Sequence, residues 1–579
     1  MYRQVLDPVA GSLALTSLFA ALPLVTLFLL LGVLRMKAWV ASLVALAVAV
    51  GVAVLVYPMP VGQAFLAGTE GAAFGFFPIL WIVLNAIWIY NMTVVTGHFD
   101  VLRRSMARVS DDMRIQGVIV AFCFGALLEA LAGFGTPVAI TSVMLIALGF
   151  RPLKAATVAL VANTAPVAFG ALGVPITTLA SVSHLPEADL GAMVGRQTPF
   201  LAVLVPVALV FLIDGRRGVR QTLPATLVCG VSFALAQFAT SNFVSIPLTD
   251  IVASLVSVAA MLVFLRVWSP AESYTEPPAV IDLREPAAAR DTVLAAGAGP
   301  GQDRGVRTGG GDHVPDLGAG DAETYAARDT GTHDSRGDVG RAYAPYLIVI
   351  AVFVVAQIPP VKEAIDSVTH SFGWPGLHIL TAKGDASSLP TFKLNWLDNG
   401  GSLLVIAGLL TVPVLGIGAR RAFSAYLATY RQLATAIVTV MAVLALAYVM
   451  NASGQTTTLG AWMAGAGGAF ALLSPVLGWL GVAVTGSDTS SNSLFGGLQV
   501  AAADPAGLKP VLLAAANSSG GVLGKMISPQ NLAIAAAAVG ITGREGDLFR
   551  RVFWWSAGFV VLMCLLVYLQ ATVLAWMVP

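Results

Sequence analysis

NTAPVAFGALGVP (Asn163–Pro175) and NSSGGVLGKMISP (Asn517–Pro529) come from opposite halves of one 579-residue chain, and their likeness decides how it folds. Each opens on an asparagine followed by Thr or Ser, with a glycine seven residues on and a proline twelve on. Upstream, GFGTP (Gly133–Pro137) and GSDTS (Gly486–Ser490) begin 30 and 31 residues before those asparagines. Since the chain holds 58 glycines, one matched spacing would mean little; agreement of centre, Asn, Gly and Pro together means a repeat.

Both GFGTP and GSDTS sit in the middle of an apolar stretch, residues 116–150 and about 466–502, whose arms are each too short to cross a bilayer comfortably. Such stretches read as re-entrant hairpins. The Asn-to-Pro motifs fall inside longer apolar runs, 155–182 and 510–536, where Gly and Pro interrupt the helical hydrogen-bond ladder. In hydrocarbon the freed backbone groups must find partners in protein, water or ligand. A Pro kink satisfied by nearby hydroxyls explains one such break; two matched breaks, each paired with a polar hairpin tip, point to a binding site. Helix N-termini and hydroxyls converging there favour an anion. The expected shell is Thr136, Asn163 and Thr164 from the first half, with Ser487, Thr489, Ser490, Asn517, Ser518 and Ser519 from the second.

The rest of the chain agrees with a membrane solvent. Apolar and aromatic residues make up 57% and charged residues only 11%, where a soluble domain carries about a quarter charged. Runs long enough to cross a hydrocarbon core of about 30 Å recur from end to end. Twelve crossings are expected, near 13–34, 38–57, 73–96, 155–182, 197–213, 222–240, 246–266, 343–359, 401–418, 432–450, 510–536 and 552–577. The first is too long for a signal peptide and has no obvious cleavage site. The fold class is thus an all-α polytopic membrane protein of two inverted repeats, each with a re-entrant hairpin and a discontinuous helix.

With the N-terminus outside, 25 of the 32 Lys and Arg fall in cytoplasmic segments, six outside, and Lys525 alone within a span, as the positive-inside rule requires. The first hairpin, flanked by Arg114, Arg151 and Lys154, then enters from the cytoplasm, and the second from outside. Opposite entry by like elements is the mark of inverted-topology repeats. The two membrane halves are residues 1–268 and 342–579. Between them, residues 269–341 carry seven basic and thirteen acidic residues and almost no large apolar ones, which reads as a disordered cytoplasmic linker. Residues 360–399 form an outside loop.

Composition also excludes functions. A formal charge of +1, without basic residues interleaved with aromatics, gives no sign of nucleic acid as a partner. Cys123, Cys229 and Cys564 lie in apolar runs and offer neither a disulfide framework nor metal-ligand spacing. No histidine lies at mid-depth, no helix carries paired carboxylates and no cysteines cluster, so no catalytic residue, metal site or cofactor is expected and the chain is not an enzyme.

Four ionisable groups stay at membrane depth, where a lone charge costs several kcal/mol: Glu129, Asp488, Lys525 and, nearer the outer edge, Glu70. Glu129, one helical turn before the first hairpin tip, reads as a proton-coupling group, as half of a structural ion pair or as a hydrogen-bonded cap. Asp488, in the second tip, reads as a proton carrier, a helix cap or a cation ligand. Lys525 either neutralises a substrate carboxylate or forms a permanent salt bridge with Glu129 or Asp488. Glu70 suits a structural or gating role, and His98 an interfacial one.

At these motifs the sequence resembles the lactate permease family, the L-lactate and glycolate permeases of bacteria. The resemblance rests on FGALLEALAGFGTPVAI (Phe124–Ile140), ANTAPVAFGALGVP (Ala162–Pro175), GWLGVAVTGSDTSSNSLFGGLQ (Gly478–Gln499) and NSSGGVLGKMISPQNLAIAAAAVG (Asn517–Gly540), and covers nearly all of the chain outside the linker. It implies inner-membrane import of lactate or glycolate by proton symport with alternating access, with a sodium-coupled carboxylate carrier as the alternative. It further implies a homodimer with an elevator-like transport domain. The motifs do not separate lactate from glycolate, since both present a carboxylate beside a hydroxyl.

Overall fold

In this protein the usual placement of side chains is inverted. Leu55, Leu235 and Leu409 are more than half exposed, whereas Gln499, Asn517 and Ser518 are fully buried. That is the surface of a chain whose solvent is lipid, with polar groups gathered inside. The structure is a computed structural model. It describes residues 1–579 except 35, 108, 132, 134, 276–334, 357, 383, 385–386, 388–389 and 542–543.

Among the described residues nine helical stretches are long and apolar enough to cross a membrane, or ten if a pair bent by 65° at the Asn163–Pro175 motif counts as one span. The longest helix, Thr198–Phe243, contains a reversal at Gly215 (φ 65°, ψ −154°). Its two arms run back to back. Arg196, just before it, donates to Asn242 and Thr198 donates to Gln237, and a Cβ on Gly230 would meet the Ala202 carbonyl at 2.9 Å. The third span is helical from Val61 onward, twelve residues before the expected 73, so Glu70 lies within the helix Val61–Phe74 and is 2% exposed. Its small residues explain the difference: a Cβ on Gly71 would lie 2.5 Å from the Leu444 carbonyl oxygen, so polar-looking GTEG is a close helix contact.

The first hairpin rises through Met113–Leu131, a 19-residue arm long enough to cross by itself and so longer than expected, turns at Gly133 and Gly135 (φ 47° and 84°) and descends as the short helix Thr136–Ala147. The first discontinuous helix is Pro152–Ala162, a short turn at Val167–Phe169, then Gly170–Ser183. The second hairpin is Phe470–Thr485 and Asp488–Ala503 about Gly486 (φ 77°), and the second discontinuous helix is Pro510–Gly524 followed by Pro529–Ala538. Packing between the halves is reciprocal. Gly170–Ser183 packs against the descending arm Asp488–Ala503, and Pro529–Ala538 against the descending arm Thr136–Ala147.

The second hairpin and its discontinuous helix touch through backbone. A Cβ on Gly478 would overlap the Asn517 carbonyl, one on Gly520 the Pro475 carbonyl, and one on Gly524 the Trp479 carbonyl. Gly520 and Gly524 are the small-xxx-small pair that permits such approach.

Most of the expected linker, 276–334, lies outside the described residues. Its ends are ordered more than expected. The helix Arg336–Ala356 begins before residue 341, and the Arg114 guanidinium, buried at the foot of the first hairpin, pairs with Asp112 and Asp214 and donates to the Glu272 carbonyl. On the opposite face Tyr2–Arg3 forms a parallel pair with Ile379–Leu380 of the 360–399 loop.

Candidate functional site

Where the two halves meet, a cavity of about 60 Å³ is lined by side chains of Glu129, Ser487, Asp488, Thr489, Lys525 and Gln530 and by backbone at Gly133, Gly170 and Gly486. At about 10–15 Å³ per water that space suits a few waters or a molecule of a handful of heavy atoms. Its walls follow from the interrupted helices. Gly170 leaves room for Glu129, since a Cβ there would stand 2.8 Å from Oε1. Beyond it Ala171, Leu172 and Gly173 all take left-handed conformations (φ 44°, 57° and 78°). For Ala and Leu that costs about 1–3 kcal/mol each, a strain retained beside the cavity.

Lys525 stands at the end of the second break, in the short turn Lys525–Ile527, and donates to Glu129 Oε1 at 2.5 Å. The two side chains are 7% and 4% exposed and come from different halves. Of the two partners expected for Lys525, Glu129 is the one it meets. Asp488 opens the descending arm of the second hairpin. Its Oδ2 accepts from Ser518 at 2.6 Å and from Asn492 at 3.3 Å. Behind it Asn517 donates to Asn492 Oδ1 (2.9 Å), Gln499 donates to Asn517 Oδ1 (3.2 Å), and Asn492 also donates to the Pro175 carbonyl (3.1 Å) in the first half. Ser487 caps the arm by accepting from the Ser490 amide.

Of the residues expected from sequence, Glu129, Ser487, Asp488, Thr489 and Lys525 line the cavity. Ser518 stands one hydrogen bond behind it, on Asp488, and Asn517 two, through Asn492. Thr136, Asn163, Thr164, Ser490 and Ser519 do not line it; Thr164 donates to the Val161 carbonyl, and Thr136 is half-buried at the first tip. Sequence reasoning missed Gln530, Asn492 and Gln499. Asn492, four residues after Asp488 on the same helix face, was within reach of the i, i+4 rule. It also missed Asp250, taken for a span-end charge. Asp250 is fully buried, accepts from Gln237 at 3.0 Å, and stands on the helix Thr249–Phe264 that packs against the Glu129 helix.

Several buried polar atoms around the cavity have no hydrogen-bond partner among the described residues: Glu129 Oε2, Asp488 Oδ1, Ser519 Oγ and both side-chain atoms of Asn163. Buried polar groups are satisfied in the great majority of native structures, so each of these atoms calls for a partner such as a water, an ion or a ligand group. The arrangement can hold a small anion against an ammonium and hydroxyls while two carboxylates stand ready for protons or a cation.

Residues 16–574 match the family described as L-lactate permease. The chain is 40% identical to the L-lactate permease of Bacillus subtilis (strain 168), with all of both chains covered. It is 41% identical to glycolate permease GlcA of Escherichia coli (strain K12), over 98% of each chain. The Alcanivorax borkumensis YdaH transporter, described as having an unusual topology, aligns at 15% identity over 84% of this chain and 98% of its own, with a TM-score of 0.28, too loose a superposition for helices to be compared. With a full-length family match and relatives at 40% identity, the chain belongs to the L-lactate permease family and is a multi-pass membrane transporter rather than an enzyme.

Proposed function

We propose that the protein imports lactate or glycolate together with protons, by opening the cavity between hairpin tips and helix breaks alternately to the two faces of the cell's inner membrane. The observation that carries this reading is the Lys525–Glu129 ion pair, one partner from each half, in the cavity wall. Lys525 has three donor protons, and among the described residues only the Glu129 carboxylate lies within ion-pair distance of it. A substrate carboxylate competes with Glu129 for that ammonium, and a displaced Glu129 is a buried unpaired charge until it takes a proton. Binding of anion and proton are thereby linked. The charge count points the same way. Glu129, Asp488 and Lys525 sum to one negative charge, a substrate anion makes two, and each proton taken up reduces the burden of moving charge through low dielectric. Ser487, Thr489 and the free Asp488 Oδ1 offer acceptors and donors to the neighbouring substrate hydroxyl.

The inverted-repeat reading, with re-entrant hairpins from opposite faces, is supported by the reciprocal packing of discontinuous helices on descending arms. An N-terminus outside and a linker inside fit the pairing of Tyr2–Arg3 with the 360–399 loop on one face and the Arg114–Glu272 contact on the other. A homodimer follows from the family resemblance alone.

The test is uptake of labelled lactate into proteoliposomes in sodium-free buffer under an imposed pH gradient, competed by glycolate, pyruvate and acetate. Accumulation driven by an acidic outer bath, abolished in Glu129→Gln while lactate counterflow persists, is the expected result. Uptake that needs sodium and ignores the pH gradient would instead establish the sodium-coupled alternative.

A further inference from the structure

We propose that the groove between the 198–214 arm and the last helix, Glu545–Ala571, is a binding site for one anionic phospholipid. The groove has a volume of about 420 Å³ and is walled by Leu204, Phe211, Trp555, Phe559 and Leu562, with Arg216 and Arg220 at one end. Its position follows from the reversal at Gly215. The turn carries the chain back over the end of its own first arm, so Arg216 and Arg220 project beside an apolar wall made by residues that precede them.

Three observations identify the occupant. The wall is hydrocarbon and open to the surface, with Leu204, Phe211 and Leu562 each more than a third exposed, as an acyl chain requires. Phe211 and Trp555 meet edge to face at 5.8 Å near the charged end, the depth at which aromatic side chains mark the membrane interface. Arg216 and Arg220 are exposed and have no ion-pair partner among the described residues, unlike their neighbour Arg217, which pairs with Glu272. Arg551, one turn before Trp555 on the last helix, adds a third exposed guanidinium toward the same end. Apolar wall, aromatic shelf and unpaired guanidinium groups in that order complement acyl chain, glycerol and phosphate, and basic pockets between membrane helices hold anionic head groups in this way. A zwitterionic lipid would bring its own cation to the arginines and gain less.

The inference is independent of the transport reading, because it concerns a surface away from the cavity. The experiment is native mass spectrometry of the full chain after exchange through mixed micelles of phosphatidylglycerol and phosphatidylcholine, with wild type, Arg216→Ala/Arg220→Ala and Arg216→Lys/Arg220→Lys compared. Wild type is expected to retain phosphatidylglycerol selectively. Each arginine contributes about fivefold to retention, so the alanine pair should lower it about twenty-five-fold and the lysine pair far less. Both arginines are solvent-facing, and unchanged thermal melting of the variants confirms that they fold. Equal retention of the two lipids by wild type, or unchanged selectivity in the alanine pair, overturns the proposal. So does a shift from dimer to monomer on Trp555→Ala with lipid retention unaltered, which would make the groove an interface with a second copy.

Discussion

Removing either partner of the Lys525–Glu129 pair should destabilise the protein far more than removing both. At 2.5 Å and an effective dielectric of about 20, the Coulomb attraction is about 7 kcal/mol. Desolvation of two nearly buried groups offsets much of it. What dominates a single substitution is the charge left behind, which costs about 3–5 kcal/mol in buried pairs, whereas replacing both members with neutral groups of similar size is often neutral or favourable. Lys525→Met strands Glu129, and Glu129→Gln strands Lys525. The double variant strands neither, so it should unfold at a higher denaturant concentration than either single variant, with a coupling energy of about 3 kcal/mol or more. The assay is denaturant unfolding of the detergent-solubilised protein followed by helical circular dichroism, completed as a double-mutant cycle. Additive single effects, agreeing within about 0.5 kcal/mol, would refute the pairing as an energetic unit.

Gly170→Ala brings a Cβ to 2.8 Å from Glu129 Oε1; it should push the carboxylate off Lys525 and reduce lactate uptake, with a stability cost of about 1–3 kcal/mol, measured by transport and melting together. Ser518→Ala removes the 2.6 Å donor to Asp488 and should cost about 1.5–3 kcal/mol if Asp488 is ionised there; an unchanged melting curve would mean that the carboxyl is neutral or finds another donor. Ala171 has φ 44°, so Ala171→Gly should be tolerated or slightly stabilising and Ala171→Val strongly destabilising; equal stability of the two variants would contradict a left-handed backbone at the first break.

The architecture was legible where backbone chemistry leaves a mark in residue type. Gly133, Gly135 and Gly486 take positive φ at the two tips, and Pro152, Pro175, Pro510 and Pro529 fall in the discontinuous helices. Helix limits were less legible wherever small residues imitate a loop. Gly68, Gly71 and Gly75 made the start of the Val61 helix look like an entry segment because sequence does not reveal the neighbouring helix that needs their smallness. In the site, charges stood out against an apolar background, so Glu129, Asp488 and Lys525 were found. The partner of Lys525 was not decidable, since both carboxylates were one hairpin away. Asn492, Gln499 and Gln530 escaped because a neutral amide carries no insertion penalty large enough to demand an explanation. Asp250 escaped because its position near a helix start resembles an ordinary first-turn acid, and only the packed neighbours reveal that water is excluded.

Carbonyl oxygens of Pro475, Trp479 and Asn517 rest where glycines at 478, 520 and 524 leave no side chain between main chains. Surfaces this close have no lubricating layer. A slide of even one residue would drive a carbonyl into a Cα, so the second hairpin cannot flap open like a gate while its neighbour stays still. On the transport reading proposed above, the motion that alternates access would carry both pieces as one casting, with the sliding seam elsewhere, along faces cushioned by longer side chains.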